Sequence, residues 1–124
     1  MQIKELIGEV LTHIDTDEEN NEIMLTTKSG RIIKIFHYQN CCEYVSIEDT
    51  DGNWHDLIGK VIIEATHDEF EKGEPEPEYP DYSWTRTSLK FVVDDATVIS
   101  KWIGSSNGYY SETVDIQEIT KDRK

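Results

Sequence analysis

His37, Cys41, Cys42 and Glu43 fall within the seven-residue stretch HYQNCCE. Imidazole, thiol and carboxylate together are the donors of a zinc site or the partners of a Cys-His nucleophile. The spacing argues against both. Zinc ligands on one segment are usually set roughly two to four residues apart, so adjacent cysteines make a poor chelate. On a strand, neighbouring side chains point to opposite faces, so only one of Cys41 and Cys42 can share a side with His37. The expectation is buried, structural cysteines beside a hydrogen-bonded histidine, with no metal and no cofactor. Adjacent cysteines build no disulfide framework and a vicinal bridge is rare, so both thiols are expected to be reduced.

A second group lies in WIGSSNGYY: Trp102, Asn107, Tyr109 and Tyr110. Asn107-Gly108 alone suffices for a hairpin turn. The rings ask for a further reason, because stacking on an aromatic face is worth about 1–3 kcal/mol per nucleobase. An asparagine amide can read a base edge, and the glycines let a ligand approach the backbone. The competing reading has one tyrosine in the core and Asn-Gly simply making the turn. The acidic pairs Glu48-Asp49 and Asp94-Asp95 sit in turns, where nothing separates their pKa values for acid–base work. DTDGNWHD has the look of a calcium loop but lacks the closing glutamate.

The chain has 124 residues and a formal net charge of −14. Such acidity repels phosphate backbones, which excludes general binding of nucleic acid or of an anionic membrane. It leaves either a solubility feature or an acidic face for a basic host protein. With only Arg31, Arg86 and Arg123 as arginines, a small anionic ligand must be met by these, by lysines or by backbone amides. Arg31 and Arg86 are the candidates. No long apolar run exists and MQIKELIGEV lacks a signal-peptide core, so a cytoplasmic protein is expected.

The elements that must position these residues are short strands. Ile7 to Asp15 alternates loosely, and IMLTTKSGRIIKIFHY is a hairpin turned at KSG. YVSIED is a strand, while Trp54, Leu57 and Ile58 make one helical turn closed by Gly59. KVIIEAT, SWTRTSLKFVV, TVISKWIG and ETVDIQEI are further strands, with Thr85, Thr87, Leu89 and Phe91 on one face of their segment. Residues 67–82, HDEFEKGEPEPEYPDY, are expected to form an exposed acidic, Pro-rich loop. One mainly β domain over 1–124 is expected, α+β at most. It is a compact antiparallel sandwich or partly open barrel with one short helix. Short edge strands favour self-association.

The blocks HYQNCCEYVSIEDTDGNWHDLIGKVIIEA and WIGSSNGYYSETVDI resemble those of a family of small phage and bacterial proteins, with Asn40 where aspartate is usual. More distantly, the Cys-Cys-Glu and Asn-Gly-Tyr-Tyr blocks on a compact β fold resemble the phage Thoeris anti-defence sponges. That resemblance implies a non-enzymatic homo-oligomer that sequesters a cyclic ADP-ribose or cyclic oligonucleotide signal in pockets between subunits. Asn107 would stack on adenine, Arg31 would take a phosphate, and Trp102, Tyr109, Tyr110 and Arg86 are the remaining candidate contacts. An acidic decoy for a basic host surface is the alternative.

Overall fold

The computed structural model describes residues 1–39, 42–73, 83–106 and 111–119. Eight strands run in chain order: β1 Leu11–Asp17, β2 Glu22–Thr27, β3 Ile32–Phe36, β4 Tyr44–Asp51, β5 Glu64–Gly73, β6 Ser83–Val93, β7 Ala96–Ser106 and β8 Asp115–Ile119. They form two four-stranded sheets, β1-β2-β3-β8 and β4-β7-β6-β5, with every ladder antiparallel. The two sheets do not close on one another, so the architecture is a sandwich rather than a barrel.

Period-two patterning makes the core. Ile23 and Leu25 of β2 and Ile33 and Ile35 of β3 turn inward from one sheet. Leu89, Phe91 and Val93 of β6, with Val98 and Trp102 of β7, meet them from the other. Burying each large apolar side chain contributes about 1.5–3 kcal/mol, and this is the main stabilising term. A 3-10 turn at Ile3–Leu6 adds Ile3 and Leu6 to the core along the β5 flank. A second 3-10 turn, Trp54–Leu57, is capped by the Asn53 side chain, which accepts from the His55 N–H at 3.0 Å. Its Trp54 ring leans on Phe91, with centroids 5.7 Å apart. This is the expected short helical turn, and Gly59 with φ +82 ends it.

Two segments differ from expectation. Gly8, at φ +94, interrupts the stretch from Ile7 to Asp15, so the strand starts only at Leu11. The strand expected over KVIIEAT begins at Glu64 and continues to Gly73, so residues 67–73 are paired β5 rather than loop. Residues 74–82 of the expected loop lie outside the described residues. β5 is an edge strand, held by its ladder to β6 and by charges across it. Glu71 meets Arg86 at 2.9 Å and Glu64 meets Lys90 at 3.6 Å. The Trp84 ring lies over Gly73 on the neighbouring strand, in the space where any side chain at 73 would stand. A bulge between Glu69 and Glu71 shifts the register, and Phe70 there is exposed.

Thr87 sits in this core with its hydroxyl buried and without a hydrogen-bond partner. A buried hydroxyl left unpaired costs about 1–3 kcal/mol. Thr87→Val keeps the shape and removes the orphan. It is expected to raise stability by about 1 kcal/mol in urea unfolding. A loss of stability would show that the hydroxyl has a partner in solution.

Candidate functional site

β3 delivers His37 to one end of the sandwich, and the chain returns into β4 through Glu43. Both side chains are enclosed, at 4% and 0% exposure. His37 Nε2 lies 2.7 Å from Glu43 Oε2, and its Nδ1 lies 3.0 Å from the carbonyl oxygen of Thr113. That carbonyl can only accept, so Nδ1 carries a hydrogen. The Nε2–Oε2 contact is then a hydrogen bond between imidazole and carboxyl group. Asp115 approaches Nδ1 at 3.8 Å, and its Oδ2 also accepts from the Tyr38 N–H at 2.7 Å. Gln39 donates from Nε2 to the Glu43 carbonyl at 2.6 Å. The histidine is hydrogen-bonded as expected. Its neighbour Cys42 corrects the expectation for the thiols: it is exposed and held in a disulfide. Glu43 turns inward, so on extended chain Cys42 must turn outward. The chain's other cysteine, Cys41, lies outside the described residues.

A second polar knot lies beside the first. Glu112 accepts from the hydroxyls of Ser83, Thr85 at 2.8 Å and Ser106 at 2.6 Å. Burial opposes the charge of its carboxylate. The hydrogen bonds of Ser106, Ser83 and Thr85, with Lys72 nearby, outweigh that opposition and hold the carboxyl below its ordinary range. Gly104 makes this possible. A side chain there would collide with the Glu112 backbone, so only glycine lets the 111–114 segment lie flat on β7.

These contacts bring together what the sequence separates by about sixty residues. His37 meets Thr113, Tyr38 meets Asp115, and Tyr44 pairs with Ser105. The HYQNCCE and SSNGYYSETVD blocks therefore meet at one end of the fold. Two rings, Tyr38 at 68% and Tyr44 at 63% exposure, face solvent there. Neither was singled out in sequence. Tyr44 does carry a signal, as it opens a strand whose next residue, Val45, is inward.

The expected contact residues disperse. Asn107, Tyr109 and Tyr110 lie outside the described residues. Trp102 is fully buried on the inner face of β7, its indole N–H donating to Ser100 at 2.9 Å, so it is a core residue and offers no open ring. Arg31 stands at the start of β3, the end opposite His37, and is ringed by Glu5, Glu9 and Glu118 at 3.5, 3.2 and 2.8 Å. Those carboxylates push its pKa further up, through the bonds to Glu118 and Glu9 first. Arg86 lies on the outer face of the second sheet, one outward rung from Tyr44 and Ser105. It holds Glu48 and Glu71, each at 2.9 Å, and stacks on Trp84 at 4.8 Å. Among the described residues no cluster of three or more His, Cys, Asp and Glu side chains could hold a metal ion. Among them, too, no helix is long and apolar enough to cross a membrane.

A family model described as Domain of unknown function (DUF7448) matches residues 4–116, and the chain belongs to that family. No curated protein and no solved structure matches it.

Glu43→Ala leaves His37 without its buried partner and is expected to cost about 3–5 kcal/mol in equilibrium unfolding. Glu43→Gln, whose amide can donate to Nε2, should cost far less. Equal losses would deny that the pair matters through hydrogen bonding. The Glu112 carboxylate contributes stability that is present above its ordinary pKa of 4.5 and lost as pH falls through its lower folded value. The stability gap between the wild-type protein and Glu112→Gln should therefore be constant above about pH 5 and shrink below it. A gap that grows on acidification would contradict this.

Proposed function

We propose that this DUF7448 protein is a non-enzymatic binder that sequesters a small cyclic nucleotide, of the cyclic ADP-ribose or cyclic oligonucleotide type. The setting is a phage counter-defence role in the host cytoplasm. The reading rests on one observation: the two blocks meet at one end of the sandwich, where Tyr38 and Tyr44 turn their rings outward. Asn107, Tyr109 and Tyr110 follow β7 in the sequence, and stacking on such rings is tolerant of base identity. Binding rather than turnover fits the polar groups here. His37 and Glu43 are enclosed against each other, and the Glu112 oxygens are taken by hydroxyls, so these three side chains offer a substrate neither acid nor base.

Recognition in this reading comes mainly from stacking. A phosphate reaching Arg86 must displace Glu48 or Glu71, and Arg31 lies too far away to serve the same site within one subunit. A homo-oligomer, formed through the open edges of β1, β8, β4 or β5, could present an arginine of a second copy.

A second reading is supported by the charge on those edges. Asp15 and Asp17 on β1, Glu48, Asp49 and Asp51 on β4, and Asp68, Glu69 and Glu71 on β5 are all exposed. They form an acidic rim fit for a basic protein surface. Affinity for such a partner falls steeply with salt, whereas stacking hardly changes.

Calorimetric titration with cyclic ADP-ribose isomers tests the first reading. Asn107→Asp adds charge beside an anionic ligand and should lower affinity more than tenfold, about 1.4 kcal/mol. Tyr44→Ala should lower it as well. Both should leave thermal stability within about 1 kcal/mol of wild type. Unchanged affinity in both folded variants would reduce the block to a hairpin turn.

A further inference from the structure

A cleft of about 430 Å³ opens on the flank of the sandwich, between the first 3-10 turn and the start of β5. Ile3 and Ala65, at 4% and 2% exposure, are among its lining residues and give it an apolar floor. Met1, Gln2, Lys4, Thr66, His67 and Asp68 line the rest. The size is in the range of roughly 300–1,000 Å³ typical of small-molecule sites.

Arg31, Lys34, Lys60, Arg86, Lys90 and Lys101 all sit in ion pairs. Lys4, like Lys28 and Lys72, is an exposed lysine with no ion pair among the described residues, and of these three it alone lines the cleft. His67 faces Leu89 across the ladder, which places it on the inner side of β5, where the opposing sheet does not cover it. Among the described residues its imidazole has no hydrogen bond either. Partial burial in the cleft pushes its pKa down, against the pull of Asp68 and Glu69. An apolar floor beside the Lys4 ammonium and an imidazole with no hydrogen bond suits a ligand with an apolar body and a negative charge. Asp68 and Glu69 beside the cleft disfavour anything more highly charged.

We propose that this cleft binds a small monocarboxylate, with Lys4 and His67 on the carboxylate and Ile3 and Ala65 under the apolar body.

The test is a titration of the isotope-labelled protein with octanoate, followed by amide and imidazole NMR shifts. Octanamide, which keeps the chain and lacks the charge, is the control ligand. Saturable shifts at Lys4, Ala65, Thr66 and His67 are expected. Octanamide should bind at least about fivefold more weakly, a difference near 1 kcal/mol. Lys4→Met should weaken octanoate by a similar factor, and Lys28→Met, a lysine outside the cleft, should not. Lys4 is exposed, so the variant is expected to fold, and its amide spectrum reports that directly. No saturable shift up to about 10 mM would overturn the proposal. So would octanamide binding as tightly as octanoate, or shifts that centre on Tyr38 and Tyr44 instead.

Discussion

The enclosed contact between His37 and Glu43 is the constraint from which the rest of the structure follows. It joins the end of β3, in one sheet, to the start of β4, in the other, and through Thr113 it also holds the chain entering β8. A buried ionisable pair is tolerable only when each lone pair and each hydrogen finds a partner. The Thr113 carbonyl and the Glu43 carboxylate meet that condition for both ring nitrogens. With this end tied, β8 is brought back beside β3, and the first sheet gains the strand that completes its inner face.

Glu112 performs a parallel task a few residues earlier. Hydroxyls from β6 and β7 gather on its carboxylate, while Gly104 lets the backbone of the segment lie against β7. Residues 111–113 are thus pinned to the second sheet by polar contacts, with Val114 beside them entering the core. Elsewhere the reverse holds. The centre is aliphatic and aromatic, with Leu25, Ile33, Leu89, Phe91 and Trp102 fully buried. The two kinds of interaction divide the molecule into an apolar middle and a polar end that carries two exposed rings.

How much of this was legible in the sequence depended on whether burial imposed a period. β6 reads correctly because Thr85, Thr87, Leu89, Phe91 and Val93 face the core at every second position. β5 does not, because beyond Ala65 it is exposed on both faces, so nothing selects alternating residues. Its pairing comes from backbone bonds, which sequence patterning cannot reveal. Trp102 was misread for a related reason. Its proximity to SSNGYY suggested a ligand-facing ring, yet the phase set by Val98 and Ser100 puts it inside. In the HYQNCCE block the outward turn of Cys42 depends on Glu43 being buried. A carboxylate is the last side chain one expects there without its partner in view.

The account joins an end built from two distant blocks, a pair of exposed tyrosines and a set of arginines already neutralised by glutamates. Its central claim is that this end captures a small nucleotide without altering it. Native mass spectrometry of the protein purified from cells with active cyclic-nucleotide signalling is the most direct measurement. The account predicts an oligomer carrying a bound small molecule that is released chemically unchanged on denaturation. A ligand-free monomer from such cells, or recovery of a hydrolysed nucleotide product, would contradict it.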